Sequence, residues 1–168
     1  MQKTKKLFAL VLVLVMGFSL AACGKKPIDP DDFEDIMDDL DYNVYEVSKP
    51  GKKLDEEWYA YDDDYEYVVM LQFYDDKDDA KDEIDDLIED IEEAKDEKDF
   101  DGTIKKSGFG SFKKIVVNGE FEDDVDDFRG EMYVVIIRSD NMILMVAAQD
   151  NGRSDVKEVD KVVKELGY

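Results

Sequence analysis

The sequence predicts an α+β fold: a mainly antiparallel sheet with amphipathic helices packed on it, in the order α-β-β-α-β-β-β-α. Three observations predict this fold. Three segments repeat apolar residues every three to four positions, which is the spacing of one helix face. Five shorter segments are rich in aromatic and β-branched residues, which favour strands. Short turn signals join neighbouring strands, so hairpins and antiparallel pairs should dominate.

The first helix is predicted from Asp29, an acidic N-cap residue, followed by Pro30 at the first helical position. Its apolar side chains repeat at a spacing of three and four residues: Phe33, Ile36, Met37 and Leu40. Residues 42–47 alternate as a short strand would, and a loop is the alternative. Residues 58–61 and 65–74 are rich in aromatic and β-branched residues, so they predict the first two strands of the order.

The longest helix is predicted over residues 78–97, where the apolar positions follow a helical period: Ala80, Ile84, Leu87, Ile88 and Ile91. Residues 112–117 predict a strand. The dipeptide Asn118-Gly119 follows it, and this dipeptide is the one most typical of a two-residue hairpin turn. Residues 121–127 are acidic and favour no single element.

Two apolar runs near the end of the chain, residues 132–138 and 142–148, flank a polar turn and predict a hairpin at the centre of the sheet. A final helix follows, with Ser154 as its predicted N-cap and Gly167 near its C-cap. Its inward positions are Val156, Val159, Val163 and Leu166. Each helical stripe needs an apolar surface to cover, so we expect all three helices to pack on the sheet.

The amino-terminal segment has the layout of an export signal. Residues 1–6 carry three lysines, and residues 7–18 are uncharged and almost wholly apolar. Small residues then precede the single cysteine of the chain in the run Leu20-Ala21-Ala22-Cys23. This run resembles the lipobox of bacterial lipoproteins, and the exported part looks like the small lipoproteins of Gram-positive bacteria. An uncleaved anchor is the alternative, but residues 7–22 fall short of the roughly 20 residues of a spanning helix.

The resemblance implies cleavage after Ala22, a thioether-linked lipid on Cys23 and usually acylation of the new amino terminus with a chain such as palmitate. Each buried methylene contributes about 0.8 kcal/mol, so two or more acyl chains hold a protein stably at a membrane. The implied organisation is a signal peptide at residues 1–22, a lipidated cysteine with a short tether at residues 23–30, and one acidic domain at residues 31–168. The implied location is the extracytoplasmic face of the cell membrane.

Charge limits the partners of the domain. Removal of residues 1–22 takes away three lysines and no acid, which changes the formal charge from −23 to −26. This charge argues against nucleic acid as a partner, because nucleic-acid binding depends on lysine and arginine at the phosphates. It also argues against a domain that lies flat on an anionic leaflet. We expect cations or a basic envelope partner instead.

The residue types also limit catalysis. The chain has no histidine and its single cysteine is assigned to lipid, which excludes Cys/His zinc sites and nucleophiles activated by histidine. Paired carboxylates, which glycosidases use, recur so often that any fold would bring some pair together. We therefore predict a non-enzymatic binding or interaction module. An envelope hydrolase that uses two carboxylates is the alternative.

One segment resembles the first part of an EF-hand calcium loop. Its oxygen-bearing side chains fall at alternate positions: Glu97, Asp99, Asp101 and Thr103. Gly102 stands where such a loop turns sharply, and a predicted helix precedes the segment. Gly108 occupies the twelfth position, where the bidentate glutamate belongs. The alternative is that Gly102 only ends the helix, and we expect no cofactor other than this calcium ion.

Tyrosines supply the predicted ligand-binding site: Tyr59, Tyr61, Tyr65 and Tyr67. Alternation places Tyr59 and Tyr61 on one face of their strand, with Trp58 and Ala60 on the other. One face must pack in the core, and the opposite face, if exposed, would offer an aromatic surface to a sugar or a peptide. Cross-strand packing is the alternative use of the same aromatic residues.

Overall fold

The computed structural model describes residues 25–125 and 128–168, the side chains of residues 123–125 excepted. This part of the chain has three helices: α1 (Pro30–Asp39), α2 (Lys77–Glu97) and α3 (Arg153–Glu165). It also has seven strands: β1 (Asn43–Glu46), β2 (Leu54–Tyr61), β3 (Tyr67–Tyr74), β4 (Phe100–Phe109), β5 (Phe112–Val125), β6 (Phe128–Ser139) and β7 (Met142–Ala148). The α+β class is confirmed.

The seven strands of the described residues form one antiparallel sheet in the order β1-β2-β3-β7-β6-β5-β4. The hairpin of β6 and β7, which is the most apolar in the sequence, lies at the centre as predicted. Each of these two strands pairs on both sides, so its backbone N–H and C=O groups are satisfied where water does not reach.

The two faces of the sheet have separate cores. Helices α1 and α3 pack on one face, the α1/α3 face, whose core includes Phe33, Met37, Leu71, Leu144 and Val162. Helix α2 packs on the other face, the α2 face, whose core includes Ile84, Ile91, Phe100, Val134 and Ile136. Alternate residues of β6 and β7 enter the two cores in turn, because successive side chains of a strand point to opposite faces.

Helix α2 leaves part of its face uncovered. Its core takes residues from β3 to β7 but only Leu54 from β1 and β2. On the same face, β1 and β2 present Tyr45, Tyr59 and Tyr61, because their strand neighbours Val44, Trp58 and Ala60 belong to the α1/α3 core. The β1–β2 edge of the α2 face is therefore where aromatic side chains lie beyond the reach of this helix.

One strand, β4, goes beyond the sequence prediction, which places no strand there. Residues 43–46 form β1, the short strand that the alternation of residues 42–47 favours. The hairpin turn predicted at Asn118-Gly119 is wrong, because these residues lie within β5. Gly119 pairs with Gly102 of β4, and a Cβ on Gly102 would lie 2.5 Å from the Asn118 carbonyl oxygen. Glycine is required here because the two strands approach closely, and not because the chain turns.

The helix ends follow the prediction at α1 and differ at α3. The Asp29 carboxylate accepts a hydrogen bond from the Asp31 amide at 3.1 Å, as expected of an N-cap. At α3 the N-cap is Gly152, and Ser154 lies inside the first turn. Asp150 accepts a hydrogen bond from the Gly152 amide at 2.9 Å and so shapes the turn before the helix. The four inward residues predicted for α3 all pack in the α1/α3 core.

Part of the predicted tether is attached to the domain. Lys25 Nζ donates a hydrogen bond to the Gly167 carbonyl at 2.5 Å, and the Tyr168 hydroxyl donates one to the Lys26 carbonyl at 2.7 Å. The buried Ser139 hydroxyl, at the end of β6, donates to the Lys25 carbonyl. The chain is therefore fixed to one end of the sheet from Lys25 onward.

Candidate functional site

Four tyrosines line the uncovered edge of the α2 face, and we call them the tyrosine strip: Tyr45, Tyr59, Tyr61 and Tyr65. Tyr45 and Tyr59 are cross-strand neighbours in β1 and β2. The ring centroids of Tyr59 and Tyr61 lie 6.0 Å apart, with an interplanar angle of 7°. The Tyr61 centroid lies 6.4 Å from that of Tyr45 and 5.7 Å from that of Tyr65. The four rings therefore form one continuous aromatic surface.

The tyrosine strip is open to solvent at both ends. The exposed fraction is 56% for Tyr45 and 64% for Tyr65, so both rings keep most of their surface in water. Tyr65 lies in the β2–β3 turn with φ of 59°, a left-handed conformation that holds the ring beside Tyr61. A contiguous aromatic patch that stays exposed is typical of a binding surface.

The structure brings together three of the four tyrosines predicted as a ligand site. As alternation predicts, Trp58 packs toward the α1/α3 core and Tyr59 lies on the other face. Tyr67 lies on the α1/α3 face, where its hydroxyl donates a hydrogen bond to Asp155 Oδ1 at 2.8 Å. Burial and this hydrogen bond raise the pKa of Tyr67 to about 12. Tyr67 therefore joins β3 to α3 and does not belong to the strip.

A groove of about 450 Å³ separates the tyrosine strip from helix α2, and we call it the tyrosine–methionine groove. Its lining comes from β2, β3, β7, α2 and the start of β6: Tyr59, Met70, Gln72, Met145, Glu83, Leu87 and Phe128. Met70 is the cross-strand neighbour of both Tyr59 and Met145. Methionine side chains are flexible and polarizable, so this surface can adapt to the shape of a bound chain.

Carboxylates flank the groove on two sides. Glu57 Oε1 accepts hydrogen bonds from the Tyr59 hydroxyl at 3.1 Å and from Gln72 Nε2 at 2.8 Å. The Tyr74 hydroxyl donates to Gln72 Oε1 at 3.2 Å and extends the chain of bonds. These bonds orient the Tyr59 ring and keep an acceptor-only carboxylate beside it. Glu83 adds a second carboxylate from the helix side.

Tyr61 and Tyr74 remain neutral at physiological pH, because the pKa of each hydroxyl is raised. Burial and the neighbouring Tyr65 raise the pKa of Tyr61. Burial and the charges of Glu83 and Glu57 raise the pKa of Tyr74. Neutral phenol rings present electron-rich faces, and the carboxylates beside them carry negative charge. The site therefore favours a cation over an anion.

Sequence reasoning missed Tyr45, Met70 and Met145 as site residues. The alternation of residues 42–47 is the signal that could have found Tyr45, because a strand there can pair Tyr45 with Tyr59. The two methionines meet only because β3 pairs with β7, and the sequence does not show which distant strands are neighbours.

The four residues predicted as calcium ligands are spread over the end of a helix, a connection and a strand. Glu97 is the last residue of α2, and Asp99 lies in the connection after it. Asp101 and Thr103 lie in strand β4. The helix cap is Lys98, with φ of 75°, and Gly102 lies within β4, so Gly102 neither turns a loop nor ends the helix. In the described part of the chain, no group of three or more acidic or cysteine side chains is placed to hold a metal ion. Calcium binding by these residues stays a prediction.

Asp55 and Asp75 are a carboxylate pair that bears on the hydrolase alternative. Desolvation and a side-chain hydrogen bond with Asp55 raise the pKa of Asp75. Both residues are exposed, one near the start of β2 and one just after β3, and neither lines the groove. This pair therefore supplies no enclosed acid at which a sugar could be held.

Cys23, the predicted lipidation site, lies outside the described residues. Among the described helices, none is both long enough and apolar enough to cross a membrane. No family model matches the chain, and the searches of curated proteins and of solved structures found no match. The function is therefore inferred from the residues and their geometry.

Proposed function

We propose that the protein is a lipid-anchored, non-enzymatic binding module on the extracytoplasmic face of the cell membrane, and that its ligand is a basic peptide segment of an envelope partner. The observation that carries this proposal is the uncovered edge of the α2 face. There the tyrosine strip lies beside the tyrosine–methionine groove, with Glu57 and Glu83 on its two sides.

Lysine and arginine side chains suit this surface in three ways. A cation within about 6 Å of a tyrosine ring is attracted to its face by roughly 0.5–1 kcal/mol at an exposed site. Glu57 and Glu83 can accept charge-assisted hydrogen bonds, which are stronger than neutral ones. The aliphatic stems of lysine and arginine can lie along Met70 and Met145 while their charged ends reach the carboxylates.

The charge of the domain supports the same ligand class. The formal charge of −26 after removal of residues 1–22 attracts a basic partner over a longer range than any single contact. The resemblance of Leu20-Ala21-Ala22-Cys23 to a lipobox supports the membrane location. Confinement to one membrane surface raises the effective concentration of the domain for a partner in the same envelope.

Titration of the purified protein with an oligoarginine peptide tests the ligand class. Tyr61→Ser removes the ring that contacts Tyr45, Tyr59 and Tyr65, and we expect roughly tenfold weaker binding because several ring faces are lost or displaced. Tyr67→Phe is the matched control, because Tyr67 lies on the opposite face, and it should bind as the wild type does. Equal affinity of the Tyr61→Ser and wild-type proteins, or equal binding of an oligoglutamate peptide, would contradict the proposal.

Metabolic labelling with a fatty acid tests the anchor. We expect label on the wild-type protein and none on Cys23→Ser, because the thioether bond needs the only cysteine thiol in the chain. Mass spectrometry should also place the new amino terminus at Cys23. Equal labelling of the two proteins would show that the lipid is attached elsewhere or that the protein is not a lipoprotein.

A further inference from the structure

The described sheet ends in an edge strand on each side, β1 and β4. An edge strand leaves one row of its backbone N–H and C=O groups without a partner strand, and such a row can accept a further strand. Strand β1 contributes Tyr45 to the tyrosine strip. A ligand strand on β1 would therefore lie directly beside the proposed binding surface.

The pairing of β1 with β2 decides which backbone groups of β1 are free. The Val47 amide donates a hydrogen bond to the Glu57 carbonyl at 2.8 Å, and this pair continues the register of the two strands. Opposite residues of an antiparallel pair alternate between hydrogen-bonded and non-hydrogen-bonded. Tyr45 therefore bonds to β2, whereas its neighbours Val44 and Glu46 direct their N–H and C=O groups away from the sheet.

The outward groups of Val44 and Glu46 are open to a ligand. In the described part of the chain, no strand lies beyond β1, and no turn or loop bonds to the backbone of either residue. Glu46 is exposed and Val44 is half-buried. An extended peptide can therefore replace the water at this edge and bond to both residues.

The edge at β4 is less suited to a basic ligand. There Lys95 Nζ donates a hydrogen bond to the Gly102 carbonyl at 2.8 Å, so a side chain of α2 already uses a backbone acceptor of this strand. Strand β4 also carries two lysines and one acid, whereas β1 carries one acid and no base. Charge and free backbone groups therefore both favour β1.

The surroundings of β1 are acidic. Residues 38–66 include β1, its partner strand β2 and the turns that flank them, and they hold eleven acids and three lysines. The three lysines all lie in the β1–β2 connection, past the end of β1, and one of them, Lys53, is 2.9 Å from Asp79. This local balance attracts a cationic ligand to β1.

Two features that attract cations lie two residues apart on β1. One is the exposed ring of Tyr45. The other is the Asp63 carboxylate, which accepts a hydrogen bond from Asn43 Nδ2 at 3.1 Å. Asn43 and Tyr45 share one face of the strand, because successive side chains point to opposite faces. In an extended ligand, residues i and i+2 also share one face, at a spacing of about 7 Å.

We propose that the basic ligand binds as an additional antiparallel strand on β1, with lysine or arginine at every second residue. This proposal rests on the proposed function and adds the conformation and the sequence pattern of the ligand. The ligand residues opposite Val44 and Glu46 bond to the backbone of β1. The residue between them lies opposite Tyr45, in a pair without hydrogen bonds, where side chains approach most closely. Its cation lies over the Tyr45 ring, and the next cation reaches Asp63.

An alternating arginine–serine peptide tests this pattern on the full-length protein, purified in detergent. In the proposed complex the serine amides donate to β1, and the arginine amides point away from it. Methylation of the serine nitrogens should therefore weaken binding by roughly tenfold or more, because the donors to Val44 and Glu46 are lost. Methylation of the arginine nitrogens is the matched control and should leave the affinity unchanged.

A pair of variants tests the same bonds from the protein side. Glu46→Pro removes an outward N–H and leaves the β1–β2 bonds in place, and proline is tolerated on edge strands at such positions. Glu46→Ala removes the same carboxylate but keeps the N–H. We expect Glu46→Pro to bind the alternating peptide about fivefold more weakly than Glu46→Ala does. Circular dichroism checks that both variants fold, and the methylated peptides decide with the wild type alone.

The outcomes separate strand addition from the proposed function. Strand addition is overturned, and the proposed function stands, if Tyr61→Ser weakens binding but the two methylated peptides bind equally. A greater loss on methylation of the arginines, or equal affinities of Glu46→Pro and Glu46→Ala, would likewise overturn strand addition. If neither oligoarginine nor the alternating peptide binds the wild type, both proposals are overturned.

Discussion

The two faces of one sheet differ in how completely helices cover them. On the α1/α3 face, two helices enclose a core that reaches from β1 to β7, and Trp58 and Val44 pack against it. On the α2 face, one helix of 21 residues covers a core from β3 to β7 and leaves the tyrosines of β1 and β2 outside. Trp58 and Tyr59 are neighbours with similar chemistry. Helix placement therefore decides which aromatic residue becomes core and which remains available for binding.

Truncation of two adjacent residues of β7 should separate the faces most strongly. Leu144 is fully buried in the α1/α3 core, whereas Met145 is half-buried and lines the tyrosine–methionine groove. We expect Leu144→Ala to lower the free energy of unfolding by about 3 kcal/mol, because it leaves a cavity in a closed core. Met145→Ala should cost about 1 kcal/mol or less, because solvent already reaches its site. Urea unfolding measures both, and equal losses would show that the two faces are equally closed.

A glycine substitution tests how tightly β4 and β5 approach under the covered part of the α2 face. A Cβ on Gly102 would lie 2.5 Å from the Asn118 carbonyl oxygen and 2.5 Å from the Phe100 ring. We expect Gly102→Ala to cost about 2 kcal/mol, since the backbone or the ring must move. Gly51→Ala is the control, because its Cβ would meet Leu54 at an ordinary 3.6 Å. An equal loss of melting temperature in the two variants would contradict the close approach of β4 and β5 as the cause.

An acidic residue joins α2 to the sheet. Asp85 accepts hydrogen bonds from Lys113 at 2.6 Å and from Lys81 at 2.9 Å. These two hydrogen bonds lower the pKa of Asp85 from 3.8 to about 2, and the bond from Lys113 has the larger effect. Because the folded pKa lies below the unfolded one, the ionised carboxylate stabilises the fold at pH values above about 4. That contribution is lost as the pH falls from about 4 to about 2.

The Asp85→Asn variant checks this pH dependence. The Asp85 side chain is 39% exposed, and solvent screening limits its contribution to about 1 kcal/mol or less. We expect the wild type to melt higher than Asp85→Asn at neutral pH and the two melting temperatures to converge near pH 2. Asp86→Asn, on the exposed side of the same helix, should not reproduce this convergence. A difference that persists unchanged at low pH would mean that Asp85 acts through packing and not through charge.

Salt should have the smallest effect, and it should act on the outer surface of α2. Like charges face each other one turn apart at Asp78/Asp82, Asp82/Asp86, Asp86/Asp90 and Glu89/Glu93. Each pair costs a few tenths of a kcal/mol at low ionic strength. The melting temperature should therefore rise from roughly 10 mM to roughly 300 mM NaCl, where such repulsion is screened. A flat response would show that these pairs do not weaken the helix.

Calcium and magnesium should act alike in the same melts, because Asp101 and Thr103 lie in an extended strand and form no loop around an ion. Both ions should act at lower concentration than sodium, since each carries two charges. A saturable calcium effect that Asp101→Ala removes would instead support the calcium ligands that the sequence predicts.

The sequence by itself determined the local elements and their inward faces. The apolar period of residues 78–97 predicts α2, and the structure buries Ala80, Ile84 and Ile91 on that helix as expected. Alternation in β2 likewise separates Trp58 from Tyr59. These features are local, because helix and strand periods are set by backbone geometry within a few residues.

Only the tertiary structure decided how these elements meet. It placed Gly119 in mid-strand beside Gly102, where the sequence signal predicts a turn, and it added Tyr45 to the site while moving Tyr67 to the opposite face. The reason is physical: a sequence carries the period of a strand, but strand neighbours, register and helix coverage depend on contacts between distant segments.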